Sequence, residues 1–346
     1  MHTIVEQLKR THLDSGISGM TLAIVHQGRL VCNQAVGHAR LPDQPMTVDT
    51  VFDLASVTKP IAGGLLAAHW HQAGLLRFSD PIRRFLPKAH RGICVGQLLD
   101  HTSGYPAWLP FYEAYPQVQW GSPSVRQDVL YRAQTTPLQA APGTRHTYSD
   151  VGFITLAAIL EEIGGPLEHQ VAQLIAGPLD KEIGYHLAPH HTIAATEQCP
   201  VRDRMIQGEV HDLNTACMGG VSTHAGLFST AATLALIGHQ CIDATKDGSP
   251  LAGEALRKMW THTSIGHHKL GWDGISTGYS STGDRWPNDG VGHLGFTGTS
   301  LWLAPNQQLS VALCTNRVHP NVDPSPIREA RPQVHNAIAA AYRLHR

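Results

Sequence analysis

Two pairs of β-rich segments near opposite ends of the chain constrain its fold more than any other feature. Residues 20–37 hold two such runs around the Gln-Gly pair at 27–28, and residues 298–316 hold two around the Pro-Asn pair at 305–306. Runs of this composition that flank a short turn predict a β-hairpin in each place. The two hairpins predict one sheet that is assembled from both chain ends.

Helical patterns surround and separate the hairpins. They predict helices at 3–15, at 57–74 with Gly74 as C-cap, at 153–165, from Ser229 or Thr230 onward, and at 326–343. This order of elements predicts an α/β (α+β) fold, with helices packed on the sheet and a helical lobe inserted between its halves. We place the α/β lobe at residues 1–80 and 215–346 and the helical lobe at 81–214.

Composition agrees with a compact, loop-rich protein. Of 346 residues, 42% are hydrophobic and only 15% are charged, and there are 33 glycines and 22 prolines. The net charge is −1, and no basic or acidic run is present. These values disfavour nucleic acid or an anionic membrane as a partner and leave a small molecule or peptide as the expected substrate.

The cysteines and the N-terminal segment bear on the compartment. Six cysteines are scattered without any C-x-x-C motif, which indicates free thiols in a reducing compartment. The first residues contain no continuous apolar segment of the signal-peptide type, and no apolar run is long enough to span a bilayer. We therefore expect a cytoplasmic protein, or a periplasmic one if a leader has been removed.

Histidine is unusually frequent, with 23 residues, but the sequence contains no H-E-x-x-H motif. The pairs His190-His191 and His267-His268 lie in polar stretches that resemble turns. Surface histidines explain these pairs better than metal ligands do, so no metal site is predicted.

The stretch FDLASVTKP (52–60) places Ser56 one helical turn before Lys59. A Ser-x-x-Lys pattern is expected about once by chance in a chain of this length, so the motif alone is weak. Its position before an apolar helix strengthens it, because free backbone N–H groups there favour developing negative charge. Lys59 could act as a base only if its pKa fell from about 10.4 to about 7, which requires roughly 4–5 kcal/mol.

Two later segments carry further polar and glycine-rich patterns. PGTRHTYSDVGF (142–153) presents Tyr148 and Asp150 before a helix, where a phenol could relay a proton. The structural alternative is a packed tyrosine with Asp150 as N-cap of that helix. VGHLGFTGTSLW (291–302) leads with three glycines into a β run, which suits either a strand edge that meets a substrate or a simple bulge.

In this order the three segments match a Ser-x-x-Lys motif, a polar triplet and a Lys-Thr-Gly-like motif. The sequence resembles the serine β-lactamase/penicillin-binding protein superfamily over residues 15–340, and most of all its class C-like branch of esterases and D-amino-acid peptidases. The stretches LLDHTSGYP (98–106) and GEVHDLNTACMGGVSTHAGLFSTAATLA (208–235), together with GFTGTSLWLAP and TNRVHP, strengthen the resemblance.

The resemblance implies a sandwich of an antiparallel sheet and flanking helices, with an all-helical lobe and a cleft between them. It implies Ser56 as nucleophile, Lys59 as its base and Tyr148 as proton shuttle. It also implies an oxyanion hole formed by the N–H groups of Ser56 and Phe296. Further implied positions, for substrate binding, are Asp150, His293 and Gly295. The cycle would acylate Ser56 and then hydrolyse the acyl-enzyme, without a metal or organic cofactor.

The chain departs from the family pattern at three positions. Asp150 stands where class C enzymes have asparagine, and His293 and Leu294 replace the lysine and threonine of Lys-Thr-Gly. The loss of a fixed positive charge favours an ester or amide that lacks a carboxylate. The alternatives are a β-lactamase or DD-carboxypeptidase acting on D-Ala-D-Ala-like or muropeptide substrates, and a catalytically inactive binding protein.

Overall fold

The computed structural model describes residues 1–187, 192–246, 251–323 and 325–346. The strands are β1 (Gly19–His26), β2 (Arg29–Arg40), β3 (Gln44–Pro45), β4 (Val51–Asp53), β5 (Gln198–Cys199), β6 (Arg204–Met205), β7 (Phe228–Thr230), β8 (Asp273–Gly274), β9 (Val291–Leu294), β10 (Ser300–Ala304) and β11 (Leu309–Thr315). Within the described residues, seven of them form one antiparallel sheet in the order β3-β2-β1-β11-β10-β9-β8. The pairs β4–β7 and β5–β6 stand apart from it.

The helices precede, separate and follow groups of these strands along the chain. They are α1 (His2–Ser15), α2 (Leu66–Gln72), α3 (Val95–Leu99), α4 (Pro123–Thr135), α5 (Asp150–Gly164), α6 (Leu167–Val171), α7 (Gly177–Leu179), α8 (Leu213–Cys217), α9 (Ala231–Ala244), α10 (Gly253–Thr261) and α11 (Ser325–Ala341). Tighter or wider turns occur as 3₁₀ segments at Ala55–Val57, Ile82–Arg84, Phe111–Ala114, Gln117–Gln119 and Pro305–Gln307, and as π-helical segments at Lys59–Leu65 and Ala172–Ala176.

Both predicted hairpins are confirmed. Positive φ angles at Gln27 (50°) and Gly28 (76°) make the tight turn between β1 and β2 that matches strand twist. The β10–β11 hairpin closes through the turn at Pro305–Gln307. β1 pairs along its length with β11, from Met20 opposite Thr315 onward, so the sheet is built from both ends of the chain as predicted.

The sheet is covered on both faces. Alternate residues of β1 point to opposite sides, so Met20, Leu22 and Ile24 pack with α1 and α11. Ala23 and Val25 instead join the larger core that includes α2, α5 and α9. The predicted terminal helices are confirmed, and the predicted helix after residue 229 begins at Ala231 with Thr230 as its N-cap.

The helix predicted at 57–74 exists, but its first part is wider than an α-helix. Residues Lys59–Leu65 are π-helical, and regular α-helix covers only Leu66–Gln72 before Gly74, which has a positive φ. Pro60 lacks the backbone N–H that the regular ladder would use. A side chain at Gly63 would collide with the Phe153 ring, so the backbones of this segment and α5 lie close together. Such π-helical bulges occur frequently at functional sites.

The segment between the two halves of the sheet is rich in helices. It holds α2 to α10, including the predicted helix at 153–165, which begins three residues earlier at Asp150. The boundaries that we placed at residues 80 and 215 stay a prediction. All six cysteines lie in the described residues and are free thiols, as predicted.

In the described part of the chain we find no helix that is both long enough and apolar enough to cross a bilayer.

Candidate active site

The turn that carries Ser56 is held by a buried carboxylate. Asp53, the last residue of β4, accepts hydrogen bonds from the N–H of Ala55 at 2.8 Å and from the N–H of His211 at 2.6 Å. Burial raises the pKa of Asp53, and these two donors oppose the rise. Ala55 adopts a positive φ of 45°, which is unfavourable for a residue with a side chain. Backbone strain of this kind persists where surrounding contacts enforce it, and it concentrates at functional sites.

Ser56 and Lys59 lie within bonding reach, as the sequence predicted. The Nζ atom of Lys59 donates a hydrogen bond to Ser56 Oγ at 3.0 Å. Lys59 is fully buried, and Nζ also contacts Asp150 Oδ1 at 2.6 Å and the carbonyl oxygen of His224 at 3.3 Å. The lysine therefore connects the serine to the helical segment.

Tyr148 and Asp150 reach the same centre from the start of α5. Ser149 is the N-cap of this helix, since its hydroxyl accepts from the N–H of Gly152 at 3.0 Å. The alternative that Asp150 caps the helix is therefore wrong: Asp150 is the first helical residue and faces Lys59. Lys59 Nζ lies 4.8 Å from the centre of the Tyr148 ring.

The charges around Lys59 favour its protonated form. Burial alone would lower the pKa of Lys59, but the carboxylate of Asp150 and the neighbouring Tyr148 outweigh burial, and the pKa is raised. Burial raises the pKa of Tyr148, although the Lys59 cation opposes this. Both groups therefore hold their protons at neutral pH.

The strand β9 forms the opposite side of the centre. His293 is buried, and its Nδ1 lies 2.8 Å from the carbonyl oxygen of Leu294. Burial and the nearby Lys59 cation lower the pKa of His293 to about 3, so this imidazole is neutral at neutral pH.

The loop after β9 is tied to the serine turn. The hydroxyl of Thr297 donates to the carbonyl of Asp53 at 2.7 Å, and that of Thr299 donates to the carbonyl of Leu54 at 2.9 Å. A Cβ on Gly295 would collide with Thr299 and with the Leu54 carbonyl, so only glycine permits this approach. The backbone that carries Phe296 is thereby held against the backbone that carries Ser56.

One cavity of about 990 Å³ joins these elements. Its wall includes every predicted site residue except the buried Lys59, namely Ser56, Tyr148, Asp150, His293, Gly295 and Phe296. The structure thus brings together residues that the sequence spreads over 240 positions (56 to 296).

Sequence reasoning missed several residues of this cavity. His224 contacts Asp212 Oδ1 through Nε2 at 2.9 Å, and its carbonyl oxygen accepts a hydrogen bond from Lys59. Although burial opposes it, the contact with His224 lowers the pKa of Asp212 well below its usual range. Other unpredicted wall residues are Trp108, Arg317, Arg328 and Arg331. Asp212 and His224 lie in the family-like stretch at 208–235, which was a usable signal, whereas the arginines carry no motif.

The prediction that His267-His268 are surface histidines is wrong for His268, which is buried, whereas His267 is exposed as predicted. Both line the cavity with His146 and Asp273. We call these four residues the histidine–aspartate cluster. The sequence did not reveal it, because His146 lies more than 100 residues before the other three members and a polar stretch does not show which cavity it borders. The second predicted pair, His190-His191, lies outside the described residues.

Comparisons with known proteins show which family and which fold this chain shares. The chain matches the β-lactamase family over residues 3–335. An N-acetylmuramyl-L-alanine amidase of Bacillus subtilis (strain 168) is 30% identical over 92% of this chain and 82% of its own length. A putative D-alanyl-D-alanine carboxypeptidase of Escherichia coli (strain K12) is 29% identical over 90% of this chain and 81% of its own. Among solved structures, EstCE1, a hydrolase with promiscuous acyltransferase activity, aligns with a TM-score of 0.75 at 20% identity, covering 96% of this chain and 99% of its own.

These matches and the fold define a serine hydrolase built on the β-lactamase/penicillin-binding protein fold. The chain belongs to the β-lactamase family, as the resemblance of its motifs indicated.

Proposed function

We propose that the protein cleaves an ester or amide bond of a small molecule or peptide through an acyl-enzyme on Ser56. The observation that carries this proposal is the 3.0 Å contact between Ser56 Oγ and Lys59 Nζ, at the wall of a cavity shared with Tyr148. A serine hydroxyl becomes a useful nucleophile when a group that can accept its proton lies within hydrogen-bond reach.

The proposed cycle has two halves. Ser56 Oγ attacks the substrate carbonyl carbon, and its proton passes to the group formed by Lys59 and Tyr148. The N–H groups of Ser56 and Phe296 stabilise the resulting oxyanion. Collapse of this intermediate breaks the bond to the alcohol or amine, which leaves with a proton relayed by Tyr148. Water then attacks the acyl-enzyme and restores Ser56.

The charge state of Lys59 modifies the role that the sequence suggested for it. As a cation paired with Asp150, Lys59 cannot accept a proton. We propose that the active form has lost one proton from the Lys59–Tyr148 pair, as either amine with phenol or ammonium with phenolate. The two forms are one coupled titration and share an apparent pKa. Activity should therefore rise with pH as this proton leaves.

Replacing Asp150 with asparagine, the residue of class C enzymes, tests this charge state. Without the carboxylate, burial would dominate and lower the pKa of Lys59. We expect the rising limb of kcat/KM against pH to move at least about one unit to lower pH and kcat/KM at pH 7 to increase. The measurement is the pH profile of p-nitrophenyl butyrate hydrolysis.

Glu161→Gln provides the matched control, because it removes a carboxylate of the same helix α5 that pairs with Arg126 at 2.6 Å. In this variant, kcat/KM should rise over the same pH range as in wild type. If kcat/KM of Asp150→Asn also rose over the wild-type pH range, Asp150 would not set the protonation of the active form.

The strand β9 informs the substrate class. His293 is neutral and Leu294 has no hydroxyl, so this strand provides no charge for a substrate carboxylate. The arrangement supports esters and amides of uncharged acyl groups over penicillin-type substrates.

A second candidate is a carboxypeptidase or amidase that acts on D-Ala-D-Ala-like or muropeptide substrates. Arg317, Arg328 and Arg331 contribute to the same cavity wall and could receive a carboxylate. Arg331 is buried, and its guanidinium donates to the carbonyls of Gly295 at 3.2 Å and Thr299 at 2.8 Å. The names of the amidase and carboxypeptidase relatives support this candidate.

Parallel assays separate the candidates. We expect p-nitrophenyl butyrate to be hydrolysed faster than either nitrocefin or an acylated peptide that ends in D-Ala-D-Ala. Faster release of D-alanine would favour the second candidate, and efficient nitrocefin turnover would make the protein a β-lactamase. A fluorophosphonate probe should label Ser56; an unlabelled protein without turnover would be the inactive binding protein. Six free thiols support action in the reducing cytoplasm.

A further inference from the structure

The histidine–aspartate cluster is assembled from three separate segments at the edge of the cavity. His146 precedes α5 and lies two residues before Tyr148. His267 and His268 lie in the connection between α10 and β8, and Asp273 begins β8. The centres of the Tyr148 and His268 rings are 5.6 Å apart, so the cluster adjoins the proposed catalytic centre.

The potential ligand atoms lie close enough together to converge on one metal ion. Asp273 Oδ1 lies 3.2 Å from His267 Nε2 and 3.8 Å from His268 Nε2. One ligand atom from each of the three residues lies within 4.8 Å of the others. Tetrahedral zinc with bonds of about 2.0–2.1 Å places its ligand atoms roughly 3.3 Å apart. Small side-chain movements would therefore close the site around an ion.

The surroundings prepare these groups for coordination. His268 Nδ1 lies 2.9 Å from His146 Nε2, so it can donate its N–H there and leave its Nε2 lone pair for an ion. Histidines that bind metals characteristically donate their second nitrogen in this way. Asp273 Oδ1 is buried and makes no hydrogen bond of good geometry among the described residues. An ion would satisfy this oxygen.

The packing of the cluster agrees with this arrangement. Side chains at Gly266 and Gly274 would collide with the His146 ring and the His267 carbonyl, so two glycines permit the close packing.

We propose that His267, His268 and Asp273 bind a divalent transition-metal ion of the zinc type, with His146 orienting His268. Two imidazoles and one carboxylate suit zinc, and three protein ligands leave a coordination position for water or a substrate group. All three residues line the cavity of Ser56, so a bound ion would add a fixed positive charge beside that site.

Metal binding tests this proposal directly and independently of the proposed hydrolase function. Untagged protein is stripped with a chelator, dialysed and titrated with Zn²⁺ by calorimetry. A separate metal-free sample receives Co²⁺, and the visible absorption of tetrahedral cobalt is recorded. We expect one equivalent to bind. Asp273→Asn, which keeps the side-chain size, should raise the Kd at least about tenfold and abolish the tetrahedral cobalt spectrum.

His267→Ala is the second variant, because this partly exposed side chain can be removed with little risk to folding. It should weaken binding in the same way, and it decides the outcome if circular dichroism shows Asp273→Asn to be unfolded. His169→Ala, an exposed histidine of α6, is the matched control and should bind as wild type. Wild-type protein without saturable one-to-one binding, or a wild-type Kd in both cluster variants, would overturn the proposal.

Discussion

Ser56→Ala should reduce kcat for p-nitrophenyl butyrate by about four orders of magnitude or more and should abolish fluorophosphonate labelling. The physical reason is that Ser56 Oγ is the atom that would form the covalent bond to the substrate. Its 3.0 Å contact with Lys59 gives the hydroxyl a route for its proton. Catalytic groups that act as a unit lose nearly all of their joint effect when the nucleophile is removed. The oxyanion donors alone then provide only weak residual catalysis. Steady-state kinetics and mass spectrometry of the labelled protein measure the two effects.

The control for Ser56→Ala is Ser229→Ala. Ser229 is a buried serine of β7 that pairs with Phe52 of β4, the strand leading to the active turn. If loss of any hydroxyl near this turn disturbed the site, Ser229→Ala would also be inactive. We expect it to retain activity and labelling. Turnover by Ser56→Ala at more than a few per cent of wild type would remove Ser56 from the proposed mechanism.

Stability should fall steeply when the pH drops below about 6.5. Burial lowers the pKa of His293 to about 3 and that of His335 to about 4, whereas histidine in an unfolded chain titrates near 6.5. Between these values the unfolded chain binds more protons than the folded protein, so acid favours unfolding. Each group contributes up to about 1.4 kcal/mol per pH unit once the pH is well below 6.5, so from pH 6.5 to 5 the two together lower the free energy of unfolding by about 3 kcal/mol. This is a large part of the typical 5–15 kcal/mol.

Urea denaturation at pH 5 to 8 measures this effect. His335→Gln should flatten the pH dependence, because it removes a buried imidazole of α11 that stays neutral in the folded protein. The Nδ1 atom of this imidazole lies 2.9 Å from the carbonyl oxygen of Arg331. His169→Gln, which changes an exposed histidine, should leave the slope as in wild type. A constant free energy of unfolding across this range would contradict the expectation that these histidines are neutral.

The sequence predicted features that depend on local chemistry. The Gln27-Gly28 turn, the Thr230 N-cap and the helical spacing of Ser56 and Lys59 each follow from a few adjacent residues, and the structure contains all three. The resemblance then linked distant motifs, and Tyr148 and Phe296 do share one cavity with Ser56. Their assigned roles stay predictions.

Features that depend on long-range packing were not predictable in the same way. The charge of Lys59 depends on Asp150, which lies 91 residues further along the chain and reaches Nζ at 2.6 Å. Asp53, which binds the N–H of Ala55, is itself held by the N–H of His211, 158 residues away, and no local pattern signals the positive φ of Ala55. The histidine–aspartate cluster was misread because a polar, turn-like sequence does not show which cavity it borders.

The pairing of β1 with β11 has a consequence for biosynthesis. Strand β1 leaves the ribosome well before its partner at Leu309–Thr315, because more than 280 residues separate the two strands. The middle of the sheet must therefore wait until these residues have been made, and closing so long a loop slows folding. During translation the apolar edge of the β1–β2 hairpin stays without its partner, which makes the nascent chain a natural client for chaperones.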